Sequence, residues 1–162
     1  MQHYGFDPVI DNDSKVLILG SFPSVKSREQ GFYYGNPQNR FWKVLGEALG
    51  TSVPDSVQER KCFLLANKIA LWDVIESSSI DGSMDSDINK NNSVPVDFNK
   101  VLSKYNNLKL IILNGKKAFS VFEKFNKTCE IEYRYLPSTS PANVVFNMEI
   151  WVKTLREILN ND

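Results

Sequence analysis

The sequence has few of the side chains that most metal and nucleophilic sites need. Its 162 residues include two cysteines, Cys62 and Cys129, and a single histidine, His3. Two thiols cannot supply a full set of ligands for an iron–sulfur cluster or a structural zinc site. With His3 expected in a terminal tail, a Ser-His-Asp triad, a Cys-His dyad and a site of several imidazoles are all disfavoured. The sequence therefore predicts a protein without metal or cofactor.

Long hydrophobic runs are also missing. No apolar segment of the sequence reaches the length that a membrane-spanning helix requires. The first residues, MQHYGFDPVIDNDSK, carry acidic side chains where a secretory signal needs a basic start and an apolar stretch. We therefore expect a cytoplasmic protein with no membrane partner.

The chain has no excess of charge of either sign. Nineteen Lys and Arg residues balance nineteen Asp and Glu residues, so any affinity for nucleic acid must come from a local patch. A hydrophobic content of 42% and an aromatic content of 12% are typical of a packed globular protein and exclude a disordered chain. The length predicts one domain over residues 1–162, with residues 1–14 as an N-terminal extension. We expect a monomer.

Short apolar segments alternate with helical patterns along the chain. The predicted strands are Lys15–Ser21, Ile69–Ile75, Lys109–Leu113 and the more amphipathic Glu130–Leu136, which we expect near an edge. The predicted helices run from Asn36-Pro37 to Gly50 and over Val57–Lys68, Val96–Tyr105, Lys116–Phe125 and Met148–Leu159. A polar segment, Ser77–Ser93, is predicted to be a loop. This alternation predicts a three-layer α/β/α sandwich around a mostly parallel four-stranded sheet.

A ligand site is expected where the parallel strands end. In such sheets ligands bind beyond the carboxyl ends of the strands, here just after Ser21, Ile75, Leu113 and Leu136. The first of these ends leads into a long loop, Gly20–Trp42, that carries several aromatic residues and amides. The glycine spacings of the known phosphate-binding loops are absent from it. The loop therefore indicates a site for a flat ligand such as a base.

Three motifs carry a resemblance to a known family. They are GSFPS at Gly20–Ser24, NPQNRFW at Asn36–Trp42 and LPSTSPAN at Leu136–Asn143. In this order and spacing they resemble the uracil-DNA glycosylase superfamily, most closely its hypoxanthine-DNA (DNA-deoxyinosine) glycosylase branch. The branch specific for mismatched uracil or thymine is the next most similar. The resemblance implies the sandwich fold and a monofunctional DNA glycosylase, a hydrolase of N-glycosyl bonds in base excision repair.

The sequence departs from the superfamily at two familiar catalytic positions. Phe22 stands where many members carry Asp or Asn, and Leu136 stands where many carry His. In the hypoxanthine branch the amide that positions water is expected in the second motif, which by residue-wise match is Asn39. We expect Asn39 in the first turn of its helix, with Asn36 as the capping residue. The alternative is that Asn39 is itself a local capping amide.

The resemblance also implies residues that contact the base. Gly20, Ser21, Phe22 and Tyr34 belong to the first loop, where the aromatic rings could stack on an extruded base or pack in the core. Asp73 ends the second strand, where the superfamily often places a base-reading residue. A carboxylate there can accept a hydrogen bond from N1–H of hypoxanthine, whereas adenine offers only an acceptor at N1. The alternative for Asp73 is a turn residue that binds backbone donors.

DNA contacts are predicted from basic and hydroxyl side chains near the strand ends. Hydroxyls and backbone N–H groups suit phosphates, and a small rigid loop suits insertion into the gap that a flipped base leaves. The alternatives are a proline-rich turn for the last motif, and a carboxylate as the partner of the arginine. The predicted DNA-binding residues are Arg40, Lys116, Ser138, Thr139, Ser140, Pro141 and Asn143.

The sequence thus favours one function and leaves two alternatives. The favoured function is excision of a deaminated base from DNA, above all hypoxanthine from deoxyinosine. The first alternative is excision of uracil or thymine from mismatches. The second is a nucleotide-binding or DNA-binding module that keeps the fold without catalysis.

Overall fold

The computed structural model describes residues 2–4, 6–22, 25–79, 94–126 and 129–160. The elements in chain order are β1 (Gln2–Tyr4), β2 (Val16–Gly20), α1 (Val25–Gln30), α2 (Phe41–Leu49), α3 (Val57–Ala66), β3 (Ile69–Asp73), β4 (Ile75–Ser79), β5 (Val94–Pro95), α4 (Phe98–Leu102), β6 (Leu110–Asn114), α5 (Lys116–Phe125), β7 (Glu132–Leu136) and α6 (Met148–Asn160).

A central sheet of four strands has the order β3-β2-β6-β7, and every neighbouring pair is parallel. All five residues of β2 and all five of β6 are buried, as expected for strands that are covered on both faces. Strand β7 is mostly exposed and lies at the edge, which confirms its predicted position. The carboxyl ends of the four strands therefore lie along one side of the sheet.

Helices cover both faces of the sheet because alternate strand residues point in opposite directions. Val16 and Ile18 of β2 pack in a cluster with residues of α2, α3 and α6, whereas Leu17 and Leu19 pack in a second cluster with α4 and α5. The structure therefore confirms the three-layer α/β/α sandwich.

The N-terminal segment closes the other edge of the sheet. Val9 exchanges two backbone hydrogen bonds of 2.9 Å with Leu71 of β3 and is itself buried. Nearer the N-terminus, β1 pairs with β4 in a small antiparallel sheet of order β1-β4-β5. Part of the segment expected as an extension, around Val9, thus packs against the sandwich.

Several predicted elements differ from the structure, and α4 is shorter than the helix predicted over Val96–Tyr105. Ile69–Ile75 is not one strand, because the chain leaves the central sheet after Asp73, and Ile75 starts β4 in the small sheet. Residues Ser77–Ser79 of the predicted polar loop belong to β4, and the remainder, residues 80–93, lies outside the described residues. Strand pairing with β1 accounts for this difference, and a polar composition does not reveal it.

The start of α2 is also corrected. The helix begins at Phe41 rather than at Pro37, and the side chain of Asn36 accepts a hydrogen bond from the N–H of Gln38 (3.0 Å) instead of capping it. Gly50 ends the helix as predicted, with a left-handed φ of 67° and its N–H bonded to the carbonyl of Gly46. Asn36–Asn39 therefore forms a turn in front of the helix.

Within the first loop, α1 was not predicted from the sequence. Residues 23 and 24 of the first motif lie outside the described residues.

No helix in the described part of the chain is long and apolar enough to cross a membrane.

The side chain of Trp151 links α6 to the end of the central sheet, and Trp151→Phe tests this link. Its indole N–H donates a 2.7 Å hydrogen bond to the carbonyl of Pro137, and the residue is fully buried. The substitution should lower the free energy of unfolding by about 1–3 kcal/mol, because the carbonyl loses its partner. Urea unfolding measures the loss.

Trp72→Phe is the control for this prediction. Trp72 is half-buried, and its indole makes no hydrogen bond within the described residues. A loss for Trp151→Phe no larger than that for Trp72→Phe would show that the indole hydrogen bond adds nothing.

Candidate active site

The ends of β2 and β3 bring a glycine and a carboxylate together. Gly20 and Asp73 are direct partners in the parallel register. A Cβ atom on residue 20 would lie 2.7 Å from Oδ1 of Asp73 and 3.2 Å from the hydroxyl oxygen of Tyr34. Only glycine fits between these two polar groups, so the structure brings together Gly20, Tyr34 and Asp73, three of the predicted base contacts.

Asp73 is a buried carboxylate without full hydrogen bonding. Its exposed fraction is 4%, and within the described residues its Oδ2 atom is buried and has no hydrogen-bond partner. Burial raises its pKa from 3.8 to about 7, because the charged form loses its hydration. The turn interpretation, in which the carboxylate binds backbone donors, leaves this oxygen unexplained. The group is poised to accept a ligand donor near neutral pH.

Tyr34 is held in an unusual conformation beside this carboxylate. Its φ of 52° is left-handed, which is uncommon for a residue with a side chain. Its ring stacks on Phe41 with centroids 4.1 Å apart, and its carbonyl accepts a 3.1 Å hydrogen bond from the indole of Trp42. Burial and the nearby charge of Asp73 raise the pKa of its hydroxyl, so the hydroxyl stays protonated.

Asn114 connects Tyr34 to the last motif. Its Nδ2 group donates to the hydroxyl of Tyr34 (3.2 Å) and to Oγ1 of Thr139 (3.0 Å), and its Oδ1 accepts from the N–H of Thr139 (3.0 Å). Asn114 and Thr139 are both buried. Thr139, expected to touch DNA, instead anchors the loop that follows β7.

Asn39 lies two residues before α2, and its side chain closes a turn onto the start of the helix. Its Oδ1 accepts a 2.9 Å hydrogen bond from the N–H of Phe41. The N-cap of α2 is Arg40, without a capping side chain, so the expectation that Asn36 caps the helix and leaves Asn39 within its first turn is wrong. A carbonyl oxygen has two lone pairs, so the amide of Asn39 can still accept a hydrogen bond from water, and the bond from Phe41 fixes its orientation.

The loop after β7 is held by side chains through its carbonyl groups. One guanidinium nitrogen of Arg40 donates to the carbonyls of Ser140 (2.6 Å) and Asn143 (2.7 Å), and the backbone N–H of Arg40 donates to the carbonyl of Thr139 (3.0 Å). The amide of Asn143 spans the loop from the carbonyl of Ser138 to that of Val145. Both residues, expected to bind DNA, thus hold this loop together.

The remaining predicted DNA contacts lie at the surface near this loop. The hydroxyls of Ser138 and Ser140 each accept a backbone N–H, so each keeps its own proton to donate to a phosphate. Pro141 is exposed, and so is Lys116 at the start of α5. A Cβ on residue 115 would lie 2.9 Å from Cβ of Ser138, so the start of α5 adjoins the loop.

Two predicted base contacts lie deeper than expected. Phe22 is 7% exposed and belongs to the apolar cluster under α4 and α5. Ser21 is half-buried, and its carbonyl accepts a hydrogen bond from the N–H of Ile75 (3.2 Å). Of the aromatic candidates, Tyr34 is the one in contact with the polar cluster.

Sequence reasoning missed two features of this site. The pair Asn114-Gly115 suggests either a phosphate-binding strand end or an ordinary turn, and neither interpretation gives the Asn114 amide a connecting role, although a polar residue at the end of a buried strand was a signal for one. Sequence reasoning also ended the last motif at Asn143 and overlooked Val144 and Val145, which are 92% and 78% exposed. Two adjacent β-branched apolar residues in a loop were the available signal.

Comparison with known proteins decides the family. A family model described as the uracil DNA glycosylase superfamily matches residues 8–160. The chain belongs to the uracil-DNA glycosylase superfamily. The resemblance carried by the three motifs is thereby confirmed.

The relatives within this superfamily are similar over most of their length. A hypoxanthine DNA glycosylase from Methanosarcina acetivorans is 40% identical over 144 residues, which cover 88% of this chain and 89% of the relative. One from Methanosarcina barkeri is 38% identical with the same coverage. A solution NMR structure from Methanosarcina acetivorans, assigned provisionally to uracil DNA glycosylases, has a TM-score of 0.84 and 35% identity. It covers 99% of this chain and 100% of that one.

The site of this superfamily member is built from amides, hydroxyls and one carboxylate. Across the described ranges, no group of three or more His, Cys, Asp or Glu side chains is arranged to hold a metal ion. Cys62 is exposed and Cys129 is half-buried, and both are free thiols.

Asp73→Asn tests the burial of the carboxylate through protein stability. The pKa of Asp73 is higher in the folded protein than its ordinary value of 3.8, so its contribution to stability is fully present below that value and is lost as the pH rises to about 7. Asp73→Asn has no carboxyl group at this position, so it does not lose stability in this way as the pH rises. Its free energy of unfolding relative to the unaltered protein should therefore increase by roughly 1–3 kcal/mol between pH 5 and pH 8.

Urea unfolding of both proteins at the two pH values gives this difference. An equal difference at pH 5 and pH 8 would show that the carboxylate titrates as an ordinary exposed group.

Proposed function

We propose that this protein is a monofunctional DNA glycosylase that removes hypoxanthine from deoxyinosine. It acts as a monomer in the cytoplasm, without metal or cofactor. The observation that carries the proposal is the buried Oδ2 of Asp73, which lacks a partner within the described residues and lies in the cluster with Gly20 and Tyr34. Relatives that are 38–40% identical are named hypoxanthine DNA glycosylases, which supports the same substrate.

The carboxylate of Asp73 reads the extruded base. In its ionised form it accepts a hydrogen bond from N1–H of hypoxanthine, and adenine, which has no hydrogen at N1, would leave it unpaired. Gly20 lets the carboxylate and the hydroxyl of Tyr34 lie side by side at the end of β2, because a Cβ on residue 20 would lie 2.7 Å from the carboxylate and 3.2 Å from the hydroxyl. The base is bound by these two polar groups. The hydrogen at N1, which hypoxanthine has and adenine lacks, is therefore the feature by which Asp73 distinguishes the two bases.

Asn39 orients the water that replaces the base. Water attacks C1′ of the deoxyribose as the bond from C1′ to N9 breaks, and the departing base takes the electron pair and later a proton. The sugar passes through a state with oxocarbenium character, so no covalent nucleophile is needed. Oδ1 of Asn39, held by the hydrogen bond that it accepts from the N–H of Phe41, accepts a hydrogen bond from the water and directs its lone pair at C1′. The proton that the attacking water loses passes to solvent, from which the departing base takes its own.

DNA is held by the loop after β7 and the start of α5. The hydroxyls of Ser138 and Ser140 and the ammonium of Lys116 bind phosphates. The exposed pair Val144 and Val145, which we name the valine tip, enters the space that the extruded base leaves in the duplex. The overall charge is zero, so these few contacts and the tip supply the affinity.

Uracil is the second candidate substrate because of the same carboxylate. Its N3–H group is also a donor that an ionised Asp73 can bind. Release of hypoxanthine, uracil and thymine from otherwise identical duplexes, measured side by side, distinguishes the candidates. The proposal predicts that hypoxanthine is released fastest, and the absence of any release would favour a binding module without catalysis.

Asn39→Ala tests the proposed water-positioning amide. Single-turnover excision of hypoxanthine should fall by on the order of 10² or more, as for the loss of one preorganised polar group. Affinity for the duplex should remain unchanged.

Asn36→Ala is the matched control, because Asn36 is an amide of the same turn that also accepts a backbone N–H, that of Gln38. It should cut the rate by less than about threefold, because its side chain only closes a local turn. Equal losses in the two variants would show that Asn39 only holds the turn in front of α2.

A further inference from the structure

The guanidinium of Arg40 contacts the loop that carries the valine tip on both sides of the tip, and we call these two sides its arms. On the arm before the tip, its Nη2 atom donates to the carbonyls of Ser140 and Asn143 at 2.6 Å and 2.7 Å. On the arm after the tip, its central carbon lies 4.3 Å from the ring centroid of Phe146. Hydrogen bonds from a charged donor are stronger than neutral ones, and a cation over an aromatic ring adds attraction.

The guanidinium of Arg40 binds groups of the loop rather than an acidic side chain. Within the described ranges no carboxylate forms an ion pair with it. The sequence suggested a phosphate or a carboxylate as its partner, and the structure instead gives it an aromatic ring and three backbone carbonyls, those of Thr139, Ser140 and Asn143. A planar guanidinium can serve both arms at once, which the compact ammonium of a lysine cannot do.

Arg40 also directly follows the proposed catalytic amide. The side chain of Asn39 binds the N–H of Phe41 at the start of α2, and the backbone N–H of Arg40 donates to the carbonyl of Thr139 (3.0 Å). The turn that orients water and the loop that carries the tip are therefore joined at one residue. The backbone bond does not depend on the side chain, so a substitution of Arg40 removes the guanidinium contacts with the loop and keeps this bond available.

We infer that Arg40 is a positioning residue that holds the valine tip in the orientation needed to enter duplex DNA. This role rests on the proposed function. It predicts that Arg40 acts on excision from duplexes and has little effect on excision from single strands, which offer no gap for the tip to fill. It also predicts that Arg40 does not neutralise a phosphate of the DNA.

Arg40→Met and Arg40→Lys test this inference on deoxyinosine in duplex and single-stranded DNA of one sequence. Arg40→Met should lower kcat/KM on the duplex by on the order of 10- to 100-fold, because a misplaced tip spoils the geometry of extrusion. On single strands the loss should stay below about threefold, and the salt dependence of duplex binding should be unchanged. Arg40→Lys should restore little, because a lysine cannot grip both arms.

Arg156→Met is the matched control for loss of an arginine that holds backbone carbonyls. Its guanidinium donates to the carbonyls of Glu47 (2.9 Å) and Ala48 (3.2 Å), which join α6 to the end of α2. This variant should lose stability in urea unfolding without a difference between the two DNA substrates. If Arg156→Met also lowered kcat/KM on the duplex alone, general destabilisation would explain the effect of Arg40→Met, and the inference would be overturned.

A double-mutant cycle shows whether Arg40 acts through the tip. In a protein that already carries Val144→Ser and Val145→Ser, adding Arg40→Met should have an effect of less than about threefold on the duplex. Fully additive losses would contradict the inference. A salt slope lower by about one in Arg40→Met would also contradict it, because that result identifies a phosphate contact.

Failure of the proposed function gives a different result. In that case the unaltered protein releases no hypoxanthine from either substrate. If it does release hypoxanthine and Arg40→Met loses equally on duplex and single strand, the proposed function stands and the positioning role is overturned.

Discussion

The hydrogen bonding between Asn114 and Thr139 fixes where the last loop leaves the sheet, and the rest of the site depends on it. Asn114 ends a fully buried strand, so its amide needs internal partners, and it finds them in the backbone and hydroxyl of Thr139 and in the hydroxyl of Tyr34. One side chain thus sets the position of the loop on one side and of the tyrosine beside Asp73 on the other. Arg40 in turn contacts the loop on both sides of the valine tip, through the carbonyls of Ser140 and Asn143 and the ring of Phe146.

Asp73 is the one group in this arrangement that folding alone does not explain. Burial disfavours its charged form, and a carboxylate oxygen without a partner destabilises the protein near neutral pH. A substrate that donates a hydrogen bond would remove this penalty at the moment of binding. Strained and unsatisfied groups of this kind concentrate at functional sites, and the left-handed Tyr34 next to it is a second example.

The sequence predicted the central sheet well, because its buried strands have apolar runs of a length and flanking pattern that few other elements share. It also placed Asp73 and Gly20 at the correct edge. It failed where tertiary pairing overrides local pattern, because β4 is polar yet forms a strand with β1. It also placed the start of α2 too early, at Pro37 instead of Phe41. The contacts of Arg40 join residues about 100 positions apart, so no local signal could reveal them.

The central claim is that an ionised Asp73 reads hypoxanthine. The pH dependence of kcat/KM for deoxyinosine tests it most directly, because that quantity reports the pKa values of the free enzyme. The account predicts that kcat/KM rises with pH up to about 7 and then levels off, since burial raises the pKa of Asp73 to about 7, and that this rise is absent in Asp73→Asn. The same rise in both proteins, or a fall in the unaltered protein as the carboxylate ionises, would contradict the account.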